Sequence, residues 1–301
     1  MKRILITGAN GLLGQKLAEL LLTQADVEVL ATSRGENKLA AVFPDLPFAS
    51  MDVTDKAQVE EVVSQFKPTH IIHTAAMTNV DQCETDHEGA LKLNRDAVQY
   101  LVEACEKYNV HLIHVSTDFI FDGEAGPYTE EAEANPVNFY GETKRLAEEI
   151  VKKAKCKWAI LRTVLVYGVA HDYGRTNIVL WVRDSLRAGK TINVVDDQFR
   201  TPTLAEDLAQ GCWLAAKHDA EGIYNISGKE MLTPYDMALQ VADYFSLDKS
   251  LINKADGSTF TQPAKRPPRT GFDITKAEKT LGYKPHAFSE GIRVVAEQAG
   301  N

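Results

Sequence analysis

Seven residues near the start of the chain, Gly8-Ala9-Asn10-Gly11-Leu12-Leu13-Gly14, leave few folds open, because they stand between an apolar, strand-like run at 3–7 and an amphipathic stretch at 12–22. Glycine turns through backbone angles closed to other residues and lets main chain approach a pyrophosphate, while the helix that follows offers free N–H groups and the positive end of its dipole. The spacing is Gly-x-x-Gly-x-x-Gly rather than the commoner Gly-x-Gly-x-x-Gly, and a tight strand-to-helix turn without a ligand also uses such glycines. The alternation that starts here continues. Strands are expected at 27–31, 48–51, 70–73, 110–116 and 158–162, separated by helices at 56–66, 89–108 and 138–154. Asp52 and Thr54 offer caps for the helix at 56–66. This order predicts an α/β fold, a Rossmann-type doubly wound parallel sheet with helices on both faces.

Beyond Tyr167-Gly168 the alternation weakens, and short strands are expected at 191–195 and 222–226. A dinucleotide-binding Rossmann domain over 1–165 is therefore expected to precede a smaller C-terminal α/β substrate domain over 166–301. The segment 204–216 is expected to return and pack on the first. Thirty-three basic residues against forty-two acidic ones give a net charge of −9 with no long Lys/Arg block, which argues against nucleic acid or an anionic membrane surface as partner. With no run of about twenty apolar residues and a strand-like start in place of a signal peptide, the expected location is the cytoplasm, with no membrane partner. Cys83, Cys105, Cys156 and Cys212 lie far apart without a Cys-x-x-Cys pair and read as buried thiols. Asp196-Asp197 and the acidic run at 130–133 read as solvated loops rather than metal sites, and His70, His73, His111 and His114 read as strand residues of the core, so no metal is assigned.

The end of the second strand selects between nicotinamide cofactors, since a carboxylate there accepts from a ribose 2′-hydroxyl and an arginine pairs a 2′-phosphate. Thr32-Ser33-Arg34 carries the arginine, which favours NADPH and leaves NADH open; Arg34 as a solvated loop cation is the alternative. Asp52, after the third strand, is placed either at an adenine edge or as a helix cap. Farther along, Tyr140-Gly141-Glu142-Thr143-Lys144 falls on a helix, after Ser116-Thr117-Asp118 at the end of a strand. Four-residue spacing puts Tyr140 and Lys144 on one face. A phenol whose ordinary pKa is about 10 donates poorly near neutrality unless a neighbouring cation stabilises its phenolate, and Lys144 supplies such a charge. Thr117 adds a hydroxyl hydrogen bond to a carbonyl oxygen that gains charge. A surface Tyr/Lys pair would show the same spacing; the order of all three motifs on the right elements is the stronger signal.

On these residues the chain resembles the extended short-chain dehydrogenases/reductases, and within them the dTDP-4-dehydrorhamnose reductases. The resemblance runs through Thr74-Ala75-Ala76-Met77-Thr78-Asn79-Val80-Asp81, Asn94, Ser116-Thr117-Asp118-Phe119-Ile120-Phe121-Asp122-Gly123, Pro127-Tyr128, Arg162, Val195-Asp196-Asp197-Gln198, Pro202-Thr203 and Arg266-Pro267. It implies a catalytic set of Thr117, Tyr140 and Lys144. It implies a cofactor site of Gly8, Asn10, Gly11, Leu12, Leu13, Gly14, Arg34, Asp52, Ala75 and Ala76 together with Tyr140 and Lys144. Thr78, Asp118, Asp196, Asp197, Gln198 and Arg266 are implied beside a nucleotide-sugar substrate, and a homodimer is the family's habit. The expected reaction is reduction of a nucleotide-linked 4-keto-6-deoxy sugar with NADPH, giving dTDP-L-rhamnose. A redox-neutral NAD-dependent sugar-nucleotide epimerase or dehydratase, and a non-catalytic NADP-binding regulatory subunit like that of methionine adenosyltransferase, are the competing readings. One departure stands out: the residue after Phe199, usually Gly in the reductases, is Arg200, expected to clash with or newly contact the substrate's diphosphate.

Overall fold

In β1 (Lys2–Thr7) alternate side chains face opposite ways, so that Ile4 and Ile6 enter one apolar layer and Leu5 enters another. A strand buried on both faces needs helices above and below it, and the rest of the chain supplies them. The computed structural model describes residues 1–171 and 176–300. After β1 come α1 (Leu12–Leu22), β2 (Val27–Ser33), β3 (Phe48–Ser50), α2 (Lys56–Phe66), β4 (His70–His73), α3 (Val80–Thr85), α4 (His87–Leu91), α5 (Ala97–Tyr108), β5 (His111–Thr117), α6 (Phe139–Lys152) and β6 (Trp158–Thr163). Then follow β7 (Val166–Tyr167), α7 (Ile178–Arg187), β8 (Ile192–Val195), β9 (Thr203–Leu204), α8 (Ala205–Lys217), β10 (Gly222–Asn225), α9 (Pro234–Tyr244), β11 (Ile252–Ala255), α10 (Thr275–Leu281) and α11 (Phe288–Gln298).

Seven strands form one parallel sheet in the order β10-β6-β5-β4-β1-β2-β3. The chain winds outward from β1 in one direction and from β4 in the other, so a crevice opens where the order reverses, at the carboxyl ends of β1 and β4. Helices α1 and α8 cover one face, with Leu17, Leu21, Leu208 and Trp213 against Ile4, Ile6 and Ile113. Helices α2, α5 and α6 cover the other, with Val59, Val63, Leu101 and Val151 against Leu5, Ile71 and Leu112. A third apolar cluster joins α7, α9 and α11 to the small parallel pair β8 and β11, around Val182, Val194, Val241 and Ile292. Among the described residues no helix is long and apolar enough to cross a membrane. The four cysteines are buried and free.

Several expectations change in the fold. The helix expected at 89–108 is instead α4, a π turn at Lys92–Asp96, and α5. That turn lets the buried Asn94 side chain bond the Met77 N–H and carbonyl (2.8 and 3.1 Å) and the Thr143 hydroxyl (3.0 Å), tying the loop after β4 to α6. The cap of α2 is Asp55, whose carboxylate accepts from the Ala57 and Gln58 N–H groups; Asp52 instead accepts from Thr54. β10 pairs with β6 in the main sheet rather than standing in a separate C-terminal unit. Glu130 is buried instead of solvated, because its carboxylate accepts from the Asn225 N–H of that returning strand at 3.0 Å.

Candidate active site

A cleft of about 910 Å³ runs from the glycine turn, past the ends of β4 and β5, to the segments around 198–200 and 257–266. At one end Gly8 has φ +72°, and a Cβ there would lie 2.8 Å from the Ala75 nitrogen. A Cβ on Gly14 would lie 2.4 Å from the Gly8 carbonyl oxygen. These glycines are therefore required by close approach of main chain, independently of any ligand. No described side chain caps α1, whose N-cap is Gly11, so its first N–H groups are left facing the cleft with the positive end of the helix dipole. That cradle, lined by Gly8, Asn10, Gly11, Leu12, Leu13 and Gly14, fits a diphosphate.

Arg34 and Asp52 line the same end, beside Ser33 and Lys38. Burial pushes the Asp52 carboxyl up, but hydrogen bonds from Thr54 and the nearby Arg34 cation together hold it below the usual carboxylate range. The Asn10 amide donates to the Glu36 carbonyl at 2.9 Å and its oxygen accepts from the Lys38 N–H at 3.1 Å, which lays the 33–38 loop over the glycine turn. A second cation at Lys38 was readable in the sequence as a basic residue four positions after Arg34; the tether that brings it into the cleft was not.

At the middle of the cleft Ala75, Ala76 and Thr78 line one side and Thr117, Asp118, Tyr140 and Lys144 the other. Asn138 caps α6 by accepting from the Gly141 N–H at 2.8 Å, and Gly141 itself lies so close to Phe119 that a Cβ would reach 2.0 Å from that residue's carbonyl oxygen. This packing drives the first turn of α6 against the end of β5 and sets the Tyr140 phenol beside the Thr117 hydroxyl, which opposes the effect of burial on the phenol. Burial pushes the phenol above its ordinary value, so Tyr140 is a neutral donor. Lys144 is buried, and burial lowers its ammonium to about 8, with Glu148 opposing. Its described hydrogen bonds go to the Val115 carbonyl (2.8 Å) and to His114 Nε2 (3.2 Å), not to the phenol. The expectation that Lys144 lowers the Tyr140 pKa is thus not met in this arrangement, because the ammonium is drawn to the β5 main chain. His114 is held well below its usual value by burial and by Lys144, so it can accept from the ammonium.

The far wall departs most from expectation. Gln198, Arg200 and Arg266 line the cleft, but Asp196 and Asp197 are not among the described lining residues. Because β8 and β11 run parallel, the residues after each strand lie side by side. Asp196 pairs with Lys254 at 3.1 Å, and Asp197 accepts from the Gly257 N–H at 2.9 Å, so both acids hold the loop. Arg266 forms a bidentate pair with Asp81 at 2.6 and 2.8 Å, which joins the wall to α3. Arg200, expected to meet the substrate's diphosphate, lines the cleft with its guanidinium donating to the carbonyls of Phe199 (2.8 Å) and Pro267 (2.7 Å). Leu165, with φ +35° and 41% exposure, lines the cleft without any signal in the sequence. At the opposite edge of the sheet the donor atoms of His70, His111 and Asp219 lie within 4.8 Å of one another, but the Lys2 ammonium already stands 2.7 Å from Asp219 and supplies the cation there.

The sequence matches the family described as RmlD substrate binding domain over residues 1–300. It is 33% identical to a dTDP-4-dehydrorhamnose reductase of Aggregatibacter actinomycetemcomitans, over 99% of this chain and 100% of that one. It is 31% identical to methionine adenosyltransferase 2 subunit beta of Xenopus tropicalis, over 97% of this chain and 86% of that one. Among solved structures, dTDP-4-dehydrorhamnose reductase of Bacillus anthracis in complex with NADP superposes with a TM-score of 0.85 at 27% identity, over 99% of each chain.

Proposed function

The chain belongs to the RmlD substrate-binding-domain family of extended short-chain dehydrogenases/reductases, and from that premise we propose that it reduces a nucleotide-linked 4-keto-6-deoxy sugar with NADPH, dTDP-4-dehydrorhamnose going to dTDP-L-rhamnose. The observation that carries this reading is the burial of a neutral Tyr140 phenol against Thr117 in a cleft whose other end is a glycine cradle flanked by Arg34 and Lys38. Gly8 to Gly14 and the α1 N-terminus would hold the cofactor diphosphate, Arg34 a 2′-phosphate, and Lys144 the nicotinamide ribose. A reduced nicotinamide bound there supplies the hydride that reaches the keto carbon. Tyr140 gives its phenolic proton to the keto oxygen, which stays on its carbon and becomes the hydroxyl of the product. Thr117 donates a hydrogen bond to the same oxygen as charge builds on it. Ala75 and Ala76 leave room for the nicotinamide edge, and residues from 166 onward, Gln198 and Arg266 among them, take the nucleotide-sugar side. A cytoplasmic location and a homodimer complete the reading.

The test mixes purified protein with the 4-keto sugar nucleotide, generated in situ, and follows nicotinamide absorbance with NADPH and NADH in turn. Sugar-dependent oxidation, faster with NADPH and reduced by on the order of 10³-fold in Tyr140→Phe with cofactor affinity unchanged, is the expected result. Product formation without net cofactor loss would assign an epimerase or dehydratase instead. NADP binding with no turnover of any keto sugar would assign a regulatory subunit, the alternative that the methionine adenosyltransferase relative supports.

A further inference from the structure

Two opposite charges are buried together where the cleft meets its far wall, and the reduction as written does not use either. Arg200 is 4% exposed and Asp118 3%. Asp118 directly follows Thr117, so its carboxylate is fixed relative to the end of β5. One carboxylate oxygen, Oδ1, accepts from the Thr117 hydroxyl at 3.1 Å; the other, Oδ2, accepts from the Thr270 hydroxyl and has the Arg200 Nε 3.8 Å away. Arg200 is itself held by the carbonyls of Phe199, Pro267 and Pro268 and lies over the Phe119 ring, whose own contact is the edge of Tyr140. The cation therefore has little freedom to swing away from the carboxylate.

Thr117 carries a single hydroxyl hydrogen. Its oxygen accepts from the Phe119 N–H at 3.2 Å, and its hydrogen goes to Asp118. To bond a keto oxygen, Thr117 must turn that hydrogen away from a buried carboxylate, which is costly unless the carboxylate keeps other donors and a counter-charge. We propose that Arg200 is a positioning residue: by holding Asp118 as a satisfied carboxylate, it releases the Thr117 hydroxyl to the substrate's keto oxygen. The inference rests on the reductase reading above.

Burial pushes the Asp118 carboxyl up and Arg200 opposes that push. The other charged or titratable groups near the pair are the Tyr140 phenol, across Thr117, and Arg266 and Asp197, which act on Arg200 from the far wall. Without the Arg200 cation, Asp118 has two states. Protonated, it donates to Thr117 and leaves the Thr117 hydrogen free for substrate; ionised, it keeps that hydrogen for itself. Turnover of Arg200→Met should then fall as pH rises through the elevated Asp118 pKa, a limb that the wild-type protein lacks and that adds to the fall past about pH 8 which loss of the Lys144 ammonium gives in wild type and variants alike.

The experiment measures kcat and KM for the keto sugar against pH in the wild type, Arg200→Met, Arg200→Lys and the double variant Arg200→Met/Asp118→Asn. Arg200→Gln, which keeps polar contacts to the carbonyls without the charge, replaces Arg200→Met if that protein does not fold. The expected result is a loss in kcat of up to about 100-fold, NADPH affinity unchanged, and the additional descending limb present in Arg200→Met, largely repaired in Arg200→Lys and absent in the double variant, which keeps only the Lys144 limb. A variant profile parallel to wild type, or the additional limb persisting in the double variant, overturns the proposal alone. Wild-type protein that oxidises no NADPH with the sugar overturns the reductase reading and the proposal with it.

Discussion

The two walls of the cleft are built differently. On the nucleotide side, apart from Asp52 beside Arg34, the polar groups are presented by backbone geometry or by side chains whose hydrogen-bond partners are neutral: the α1 N-terminus, Tyr140 beside Thr117, Lys144 on the Val115 carbonyl and His114. On the far side the charges stand in ion pairs, Asp196 with Lys254, Arg266 with Asp81 and Arg200 with Asp118. The first wall keeps buried groups under-compensated and so ready for a ligand, at some cost in stability; the second spends its charges on holding loops in place. Substitutions on the first wall should therefore strike binding and chemistry, and substitutions on the second should strike positioning or nothing.

The largest effect is expected at Gly14. Its Cβ would meet the Gly8 carbonyl at 2.4 Å and the Ala9 Cα at 2.6 Å, both main-chain atoms that cannot give way. Gly14→Val should abolish NADPH binding in a fluorescence titration and lower stability by about 1–3 kcal/mol or more in urea unfolding. Normal NADPH affinity in that variant would remove the cofactor from this wall.

Lys144 gives a pH effect with a definite sign. Its folded pKa of about 8 lies below the ordinary lysine value near 10.5, so between those values the unfolded chain binds more protons and stability rises with pH. Below about 8 the buried ammonium is a net cost. Lys144→Met should therefore be more stable at neutral pH by about 1–3 kcal/mol and should lose part of the rise above it. The activity moves the other way: wild-type kcat/KM should fall as pH climbs past about 8 and the ammonium is lost. Urea titrations across pH for both proteins check the first claim, and initial rates check the second. Equal pH slopes in the two proteins would show that this side chain is fully compensated after all.

The smallest effect is expected on the far wall. Asp196 is half of a partly exposed pair with Lys254. Asp196→Asn should change stability by no more than about 0.5–1 kcal/mol and leave turnover within roughly 2-fold. A large rise in the sugar KM would restore Asp196 to the substrate site and blur the contrast between the walls.

What could be read in advance follows the same division. Strand and helix alternation, the glycine turn, Arg34, and the Tyr140/Lys144 face all arise from spacings of a few residues, and the structure brings those residues to one cleft. Periods of two and of three to four residues report burial directly, because side-chain direction repeats with the backbone. The break of the expected long helix by a π turn was not legible, since it depends on Asn94 meeting Met77 and Thr143. Nor was the return of β10 to the main sheet, which depends on Gly222–Asn225 pairing with a strand some sixty residues earlier. Asp196 and Asp197 entered the substrate set through the resemblance; their contacts with Lys254 and the Gly257 N–H were not legible, because a sequence shows which residues carry charge but not which groups face one another.

The sequence by itself therefore determined the class of fold, the turn that can cradle a diphosphate, and the order of Thr117, Tyr140 and Lys144 on a strand end and a helix face. Only the tertiary structure decided that Lys144 turns to β5, that Arg200 lies against Asp118, and that two of the acidic candidates hold a loop. Local order follows from steric rules acting over one or two turns of chain. The pairing of buried charges is settled between segments as distant as 118, 200 and 270, where packing fixes which groups lose water together.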